Sequence, residues 1–244
     1  MKKVHLIMPM CGHGSRFFEK GFNVPKPLIL IQGKPFFYWA TKSLSKLKNI
    51  ADITFVVLQE HVEKYQIDKT IKEYFADANI IMLPHVLNGA VLTCIEGIKL
   101  IKDDYPIIFN DCDHAFQSSE FENFLNNNSH IDGGLLTFKS NENKFSYIKY
   151  DNLGKIIGTS EKIVVSDDAI CGAYYFSSKD KFLKYAEKYL NNCPYKEFFL
   201  SGVFNEMIND NQFIKSFGTD IHLPYGSFEE YLIIKNSILF KRFR

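Results

Sequence analysis

Val4-His-Leu-Ile-Met8 runs straight into Pro9-Met-Cys-Gly-His-Gly-Ser-Arg16, and the reading of that junction decides the fold. The first five residues are a short apolar run, the pattern of a buried strand, and Pro9 and the two glycines end it. A glycine pair directly after a first strand lets backbone N–H groups come close to phosphate oxygens. The spacing is neither G-x-G-x-x-G, because the third glycine is missing, nor a P-loop, because no G-K-[S/T] follows. Further on stands Pro25-Lys-Pro-Leu-Ile29. Arg16 and Lys26 would place two positive charges around a polyphosphate, an arrangement suited to stabilising a pyrophosphate leaving group.

Working outward, strands and helices alternate. Pro35 to Leu47 reads as a helix, Ile53 to Leu58 as a strand, Val62 to Phe75 as a helix and Asn79 to Leu83 as a strand. Gly89 to Ile101 has helical spacing, and Tyr105 to Asn110 is a strand running into Asp111-Cys112-Asp113. This alternation predicts βαβ units and a three-layer α/β/α, Rossmann-like fold with a mostly parallel sheet, whose ligands bind beyond the carboxyl ends of the strands. The later half changes character: Gly133 to Phe138 and Ile170 to Phe176 read as strands and Tyr147 to Gly158 as a hairpin. Two helices are expected over about 179–191 and 196–210. No repeat or linker interrupts the chain. The expectation is one domain over 1–244, with a nucleotide-binding half at about 1–115 and an acceptor-binding half at about 116–244.

Composition bounds the function. The 244 residues carry 29 basic and 28 acidic side chains, a formal net charge of +1, which argues against a nucleic-acid partner. Any anion site must then come from a few placed cations. No apolar stretch reaches the roughly 18–20 residues of a membrane span. Five widely spaced cysteines without a C-x-x-C pair argue against a disulfide framework or a zinc site and suit a reducing, cytoplasmic setting. Cys11 and Cys112 flank the proposed site as packing residues rather than nucleophiles. Trp39 and the many phenylalanines read as core.

The G-x-G-S-R-F and P-K-P-L segments together resemble the signature of nucleotidyltransferases of the sugar-nucleotide pyrophosphorylase and small-alcohol-phosphate cytidylyltransferase type. The resemblance extends over Leu87 to Thr93, similar to the segment that holds the base and starts a helix, and over Phe109 to His114, similar to the strand-end metal motif. It continues through Glu161-Lys162 and Gly172 to Phe176. It implies that Met10, Cys11, Gly12, Gly14 and Ser15 cradle a nucleoside triphosphate, with Arg16 on its β and γ phosphates. Lys26 would neutralise charge at the α phosphate. Asn88, Gly89 and Thr93 would meet base and ribose, with Asp111 beside the nucleotide. Asp113 would hold Mg²⁺, a cation suited to hard oxygen ligands. On the acceptor side, Lys162 would grip the phosphate, Glu161 would orient Lys162 or meet acceptor hydroxyls, and His114 and Gly172 would line the pocket. An acceptor phosphate oxygen would attack the α phosphorus in line and release pyrophosphate, for surface glycan precursors by family analogy.

Sugar-1-phosphate members of this family usually carry a second metal aspartate before a Gly-Thr near the C-terminus. Here the stretch is His222-Leu-Pro-Tyr-Gly-Ser227, with Pro224 in that place. Asp220, His222, Glu229 and Glu230 are the alternatives. This departure and the short chain, with no room for the β-helical tail of bifunctional relatives, lean toward CTP. A homo-oligomer is compatible with the resemblance. Two rivals stay open. One is a glycosyltransferase using Asp111-Cys112-Asp113 as an Asp-x-Asp metal motif, and the other is a nucleotide-binding regulatory module without turnover.

Overall fold

The computed structural model describes residues 3–45, 47, 49–127 and 129–243. Lys46 of the expected first long helix, and Met1, Lys2 and Arg244 at the ends of the expected domain, lie outside them. The first half contains β1 (Val4–Pro9), α1 (Ser15–Phe18), a small hairpin of β2 (Leu30–Ile31) and β3 (Lys34–Pro35), and α2 (Phe36–Ser45). It continues with β4 (Ile50–Leu58), α3 (Gln59–Tyr65), α4 (Ile67–Tyr74), β5 (Asn79–Leu83), α5 (Ala90–Gly97) and β6 (Ile107–Asn110). The second half holds β7 (His114–Gln117), α6 (Ser119–Asn126), β8 (Gly133–Lys139), β9 (Ser146–Tyr150), β10 (Ile156–Glu161) and β11 (Asp168–Phe176). It ends with α7 (Lys179–Asn192), α8 (Leu200–Asn209), β12 (Ile214–Gly218), β13 (Ile221–Pro224) and α9 (Phe228–Ile234).

One nine-stranded sheet carries the fold, with β10-β9-β11-β6-β1-β4-β5 in order and β8 and β12 attached beside β11. The pairs of β1 with β4, β1 with β6 and β4 with β5 are parallel, and β11 enters antiparallel to β6. Following the pairings outward, only β11 and β10 oppose β1, so the sheet is mostly parallel in strand direction. Its two faces are covered separately. Ile7, Val56 and Phe109 pack under α5, α7 and α8, through Val91, Phe182, Tyr185, Val203 and Phe204. Leu6, Met8, Phe55 and Val57 pack under α2, α4 and α6, through Phe37, Leu44, Ile71 and Phe121. This is the three-layer α/β/α arrangement expected. Trp39 is fully buried in a third cluster with Phe17 and Tyr225, and its indole N–H donates to the Ile31 carbonyl at 2.9 Å.

The differences from the sequence reading have local causes. The helix expected over 62–75 breaks at Gln66, whose left-handed backbone (φ 52°) ends α3 and turns α4 so that Ile67 and Ile71 are fully buried. The helix expected from Gly89 to Ile101 stops at Gly97, although Ile98 and Ile101 stay buried. The last helix expected from 196 begins at Leu200, because Phe198 is engaged elsewhere: its N–H reaches the Asn88 carbonyl and its carbonyl accepts from Val91 N–H. The elements absent from the reading are short, and the β7–β13 ribbon pairs segments about a hundred residues apart in sequence.

Gly97 decides how closely α5 lies on the sheet. A Cβ there would stand 2.6 Å from Ile7 Cγ2 and 3.0 Å from Val56 Cγ2, both on buried strand side chains. Alanine in place of helical glycine normally gains about 1 kcal/mol, but overpacking a filled core costs about 1–3 kcal/mol. Gly97→Ala is therefore expected to lower stability, by up to about 2 kcal/mol after the propensity gain. Urea unfolding measures it, and a variant more stable than wild type would refute the packing argument.

Candidate active site

The carboxyl ends of β1, β4 and β6 face one way, and two adjoining cavities open there. The first is built on the turn after β1. Gly14 adopts φ 64° at the start of α1, and a Cβ on it would press within 3.2 Å of the Lys26 Cβ, so a close crossing of two loops requires glycine. Gly12 has open space around it and no such constraint. Met10, Cys11, Gly12, Gly14, Ser15, Arg16 and Lys26 all line this cavity, as do Gly89 and Thr93 from the start of α5. Gly89 sits at φ 101°, where a Cβ would fall 2.4 Å from the Phe198 backbone nitrogen, so the chain can pass under α5 only without a side chain. Asn88 is exposed and outside the lining of both cavities.

The second cavity contains Asp113, His114, Glu161 and Gly172, and it shares Arg16, Ala90, Asp111 and Gly226 with the first. Arg16 thus stands at the junction, and no carboxylate pairs with it among the described residues. Lys26 is held in a tight turn between Pro25 and Pro27, and its Nζ donates to Asp113 Oδ2 at 2.8 Å. Burial would lower the lysine pKa, but the Asp113 charge and hydrogen bond outweigh it and hold the ammonium form. The same contact acts on Asp113: burial would raise its pKa, yet Lys26 keeps it below the ordinary carboxylate range.

Asp111 lacks that compensation. Its N–H donates to the Gly172 carbonyl, and a Cβ on Gly172, which adopts φ 84°, would lie 2.6 Å from Asp111 Oδ2. No side-chain donor reaches its carboxylate among the described residues. Burial, reinforced by the Asp113 charge, pushes its pKa up toward neutrality. Gly226 packs on Asp113 in the same way, with its Cβ position 2.7 Å from Oδ2. Two adjacent strand-end carboxylates, one of them without a cation, form a donor set that fits a hard divalent ion.

Glu161 and Lys162 do not act as a pair. Glu161 ends β10, and its Oε2 accepts from the hydroxyls of Ser146 and Ser201, the latter at 3.0 Å. Lys162 lies past the strand end at φ 58°, exposed and outside both linings, with Nζ 4.8 Å from the centre of the Phe199 ring. Phe199 belongs to the second cavity, so Lys162 stands at its rim. Besides the shared Arg16, the cation lining that cavity among the described residues is Lys144, paired with Glu142 at 2.8 Å and Glu230 at 2.9 Å. Lys144 sits among the polar residues of the β8–β9 connection, and nothing in that composition separates it from a solvated surface lysine. Glu197 in the first cavity, and Ser146, Phe199, Gly226 and Ser227, were equally unread.

The candidates for a second metal ligand separate clearly. Asp220 is tied to the backbone N–H and hydroxyl of Ser119, away from the cavities. Glu229 is exposed and outside the linings, while Glu230 closes a capping box with Ser227 and faces Lys144. His222 lines the second cavity, and Pro224 occupies the ribbon position opposite His114. Burial drives the His114 pKa down to about 4, leaving a neutral ring. Burial also raises the thiols of Cys11 and Cys112 to about 12, which removes them as nucleophiles.

A glycine-walled turn opening a helix, with two cations and two carboxylates at the ends of parallel strands, is an arrangement of the kind that α/β folds use for phosphorylated ligands. A model of the nucleotidyl transferase family matches residues 6–238, and the chain belongs to that family. It is 28% identical over 225 residues to the bifunctional protein GlmU of Aliarcobacter butzleri, a match covering 88% of this chain and 48% of that protein. The chain thus spans about half the length of that relative. Its fold matches the nucleoside-diphosphate-sugar pyrophosphorylase of Vibrio cholerae RC9 with a TM-score of 0.81 at 22% identity, over 93% of this chain and 98% of the other. It matches the inositol-1-phosphate CTP transferase of T. maritima with a TM-score of 0.77 at 12% identity, over 99% and 95%.

The uncompensated Asp111 has a measurable consequence. A carboxyl whose pKa is raised on folding binds its proton more tightly in the native state, so stability falls as pH climbs from the ordinary carboxylate range toward neutrality. Asp111→Asn is expected to melt higher than wild type at pH 7 in the presence of chelator, with the difference closing near pH 4. Equal melting curves at pH 7 would contradict the strained carboxylate.

Proposed function

We propose that this chain transfers a nucleoside monophosphate from a triphosphate, CTP first among the candidates, to a small phosphorylated acceptor and releases pyrophosphate. The observation that carries the reading is the position of Arg16 and the Lys26–Asp113 pair where two cavities meet, one walled by the glycine turn and the other by Glu161 and Lys144. In this reading residues of about 1–115 dominate the nucleotide side and residues of about 116–244 the acceptor side. Gly226 and Glu197 cross to the nucleotide cavity, and Arg16, Ala90, Asp111, Asp113 and His114 to the acceptor cavity.

The backbone of Gly12 to Ser15 would cradle the triphosphate, and Arg16 would take the charge of the departing pyrophosphate. Lys26, already fixed by Asp113, would meet the α phosphate as negative charge accumulates there. The acceptor phosphate is anionic when it attacks, so no general base is required, and catalysis rests on alignment and charge. Mg²⁺ would be held by Asp113 and Asp111 and would supply charge neutralisation on the phosphates. Lys144 and Lys162 are the cations available to the acceptor, with Glu161 and His114 for its hydroxyl groups. The likeness to a CTP transferase supports the lean to CTP. Family analogy supports a sugar or polyol phosphate as acceptor, for cytoplasmic synthesis of surface glycan precursors.

The test is pyrophosphate release with Mg²⁺, each of five nucleoside triphosphates and a panel of sugar-1-phosphates, polyol phosphates and phosphocholine. One triphosphate and one acceptor class should turn over. Lys26→Ala and Asp113→Ala should each lower kcat by about 10²–10³, the usual loss for a charge-stabilising group. Sugar-nucleotide hydrolysis without pyrophosphate release from any triphosphate would overturn the reading.

A further inference from the structure

The acceptor cavity holds a second set of metal-binding atoms, chemically unlike the Asp111–Asp113 pair. His114 begins β7 and His222 lies in β13, and the ribbon register places Pro224 opposite His114 and His222 opposite Phe116. The two histidines are therefore diagonal neighbours on one face of the ribbon, and their ring centres are 5.6 Å apart. Cys171 arrives from β11, where the register with β8 slips between Ile170 and Tyr174, an irregularity of the kind that re-aims side chains. One ligand atom from each of His114, Cys171 and His222 lies within 4.8 Å of the others, and all three residues line the cavity.

The imidazoles are otherwise idle. His114 is 3% exposed, and among the described residues neither ring nitrogen has a hydrogen-bond partner; His222 Nε2 is also buried without one. A buried polar atom normally finds a partner, and leaving one unsatisfied costs about 1–3 kcal/mol. One nitrogen from each ring, beside a thiol, can be met by a single shared partner. The rings are held by neighbours rather than by hydrogen bonds, His114 stacked on Phe116 and His222 3.9 Å from the Phe138 ring centre.

We infer that His114, Cys171 and His222 form a binding site for a zinc-class divalent cation in the acceptor cavity. Two imidazoles and a thiolate select zinc or cobalt over magnesium, which prefers oxygen ligands. Zinc ligands at about 2.0–2.3 Å stand roughly 3.3–3.8 Å apart around a tetrahedron, so side-chain rotations of about an ångström close the site. Coordination displaces the thiol proton to solvent. Three protein ligands leave a fourth position for a substrate oxygen or water, as in sites where the metal meets its substrate. The proposal also explains why Pro224 leaves no carboxylate opposite His114: the donors on this ribbon are nitrogens. Cation binding does not depend on the nucleotidyl transfer reading, and its readout is separate from activity.

The experiment strips the purified protein with chelator and titrates it with Co²⁺ in excess Mg²⁺, following the absorption spectrum. The expected result is one equivalent of tetrahedral Co²⁺ with intense visible bands and a thiolate charge-transfer band, displaced by one equivalent of Zn²⁺. Cys171→Ser should lose the charge-transfer band. His222→Ala, at a partly exposed position, should weaken Co²⁺ binding by roughly tenfold or more and provides the test should Cys171→Ser fail to fold. Asp113→Ala should keep the spectrum. A weak octahedral spectrum, binding abolished by Mg²⁺, or a charge-transfer band unchanged in folded Cys171→Ser would overturn the proposal.

Discussion

The ion pair between Lys26 and Asp113 is the contact on which the site depends. It joins the loop after β1 to the segment after β6, two adjacent parallel strands whose ends the backbone alone leaves open. Both side chains are about a quarter exposed, so the pair is worth less than the roughly 3–5 kcal/mol lost on breaking a fully buried one. Its larger consequence is positional. Lys26 is rigid before any phosphate arrives, because two prolines hold its backbone and one carboxylate holds its tip. A cation fixed in advance stabilises developing charge without reorganising at the moment of reaction.

The neighbouring aspartate carries the opposite condition. Asp111 and Asp113 share a cavity edge, and the single lysine satisfies only one of them. Gly172, in β11, and Gly226, between β13 and α9, let backbone press against the two carboxylates, Gly172 on Asp111 and Gly226 on Asp113. The folded protein therefore buries a carboxyl whose charged form burial disfavours, close to the turn after β1. Sites that bind charged ligands commonly give up stability in this way.

The lining of the first cavity was legible in the sequence because its signals are local. The run from Val4 to Met8, the glycines, Arg16 and Pro25-Lys-Pro lie within a few dozen residues, and each acts through backbone freedom or a single charge. The parallel core β5-β4-β1-β6 follows from apolar runs alternating with amphipathic ones. The second cavity was not legible for the converse reason. Lys144, Phe199, Gly226 and Glu230 meet only after β11 reverses the sheet and the β7–β13 ribbon joins distant segments. Lys162 was expected in the pocket beside Glu161; a left-handed turn at the strand end sends it to the rim instead. Asn88 was expected at the base, but what its position contributes is a backbone carbonyl, held by Phe198 N–H.

The same topology separates two kinds of donor. The carboxylates sit just past the end of β6, where Lys26 pairs with Asp113. The imidazoles lie on a two-stranded ribbon outside the main sheet, against Phe116 and Phe138, where neutral rings are the form that burial favours. Oxygen donors in the first place and nitrogen and sulfur donors in the second differ in the cations they prefer. The ribbon does not belong to the nine-stranded sheet, yet it starts at the residue after Asp113 and the chain leaving it returns through Tyr225, whose N–H donates to the Asp113 carbonyl at 2.9 Å, so the two donor sets are joined through backbone.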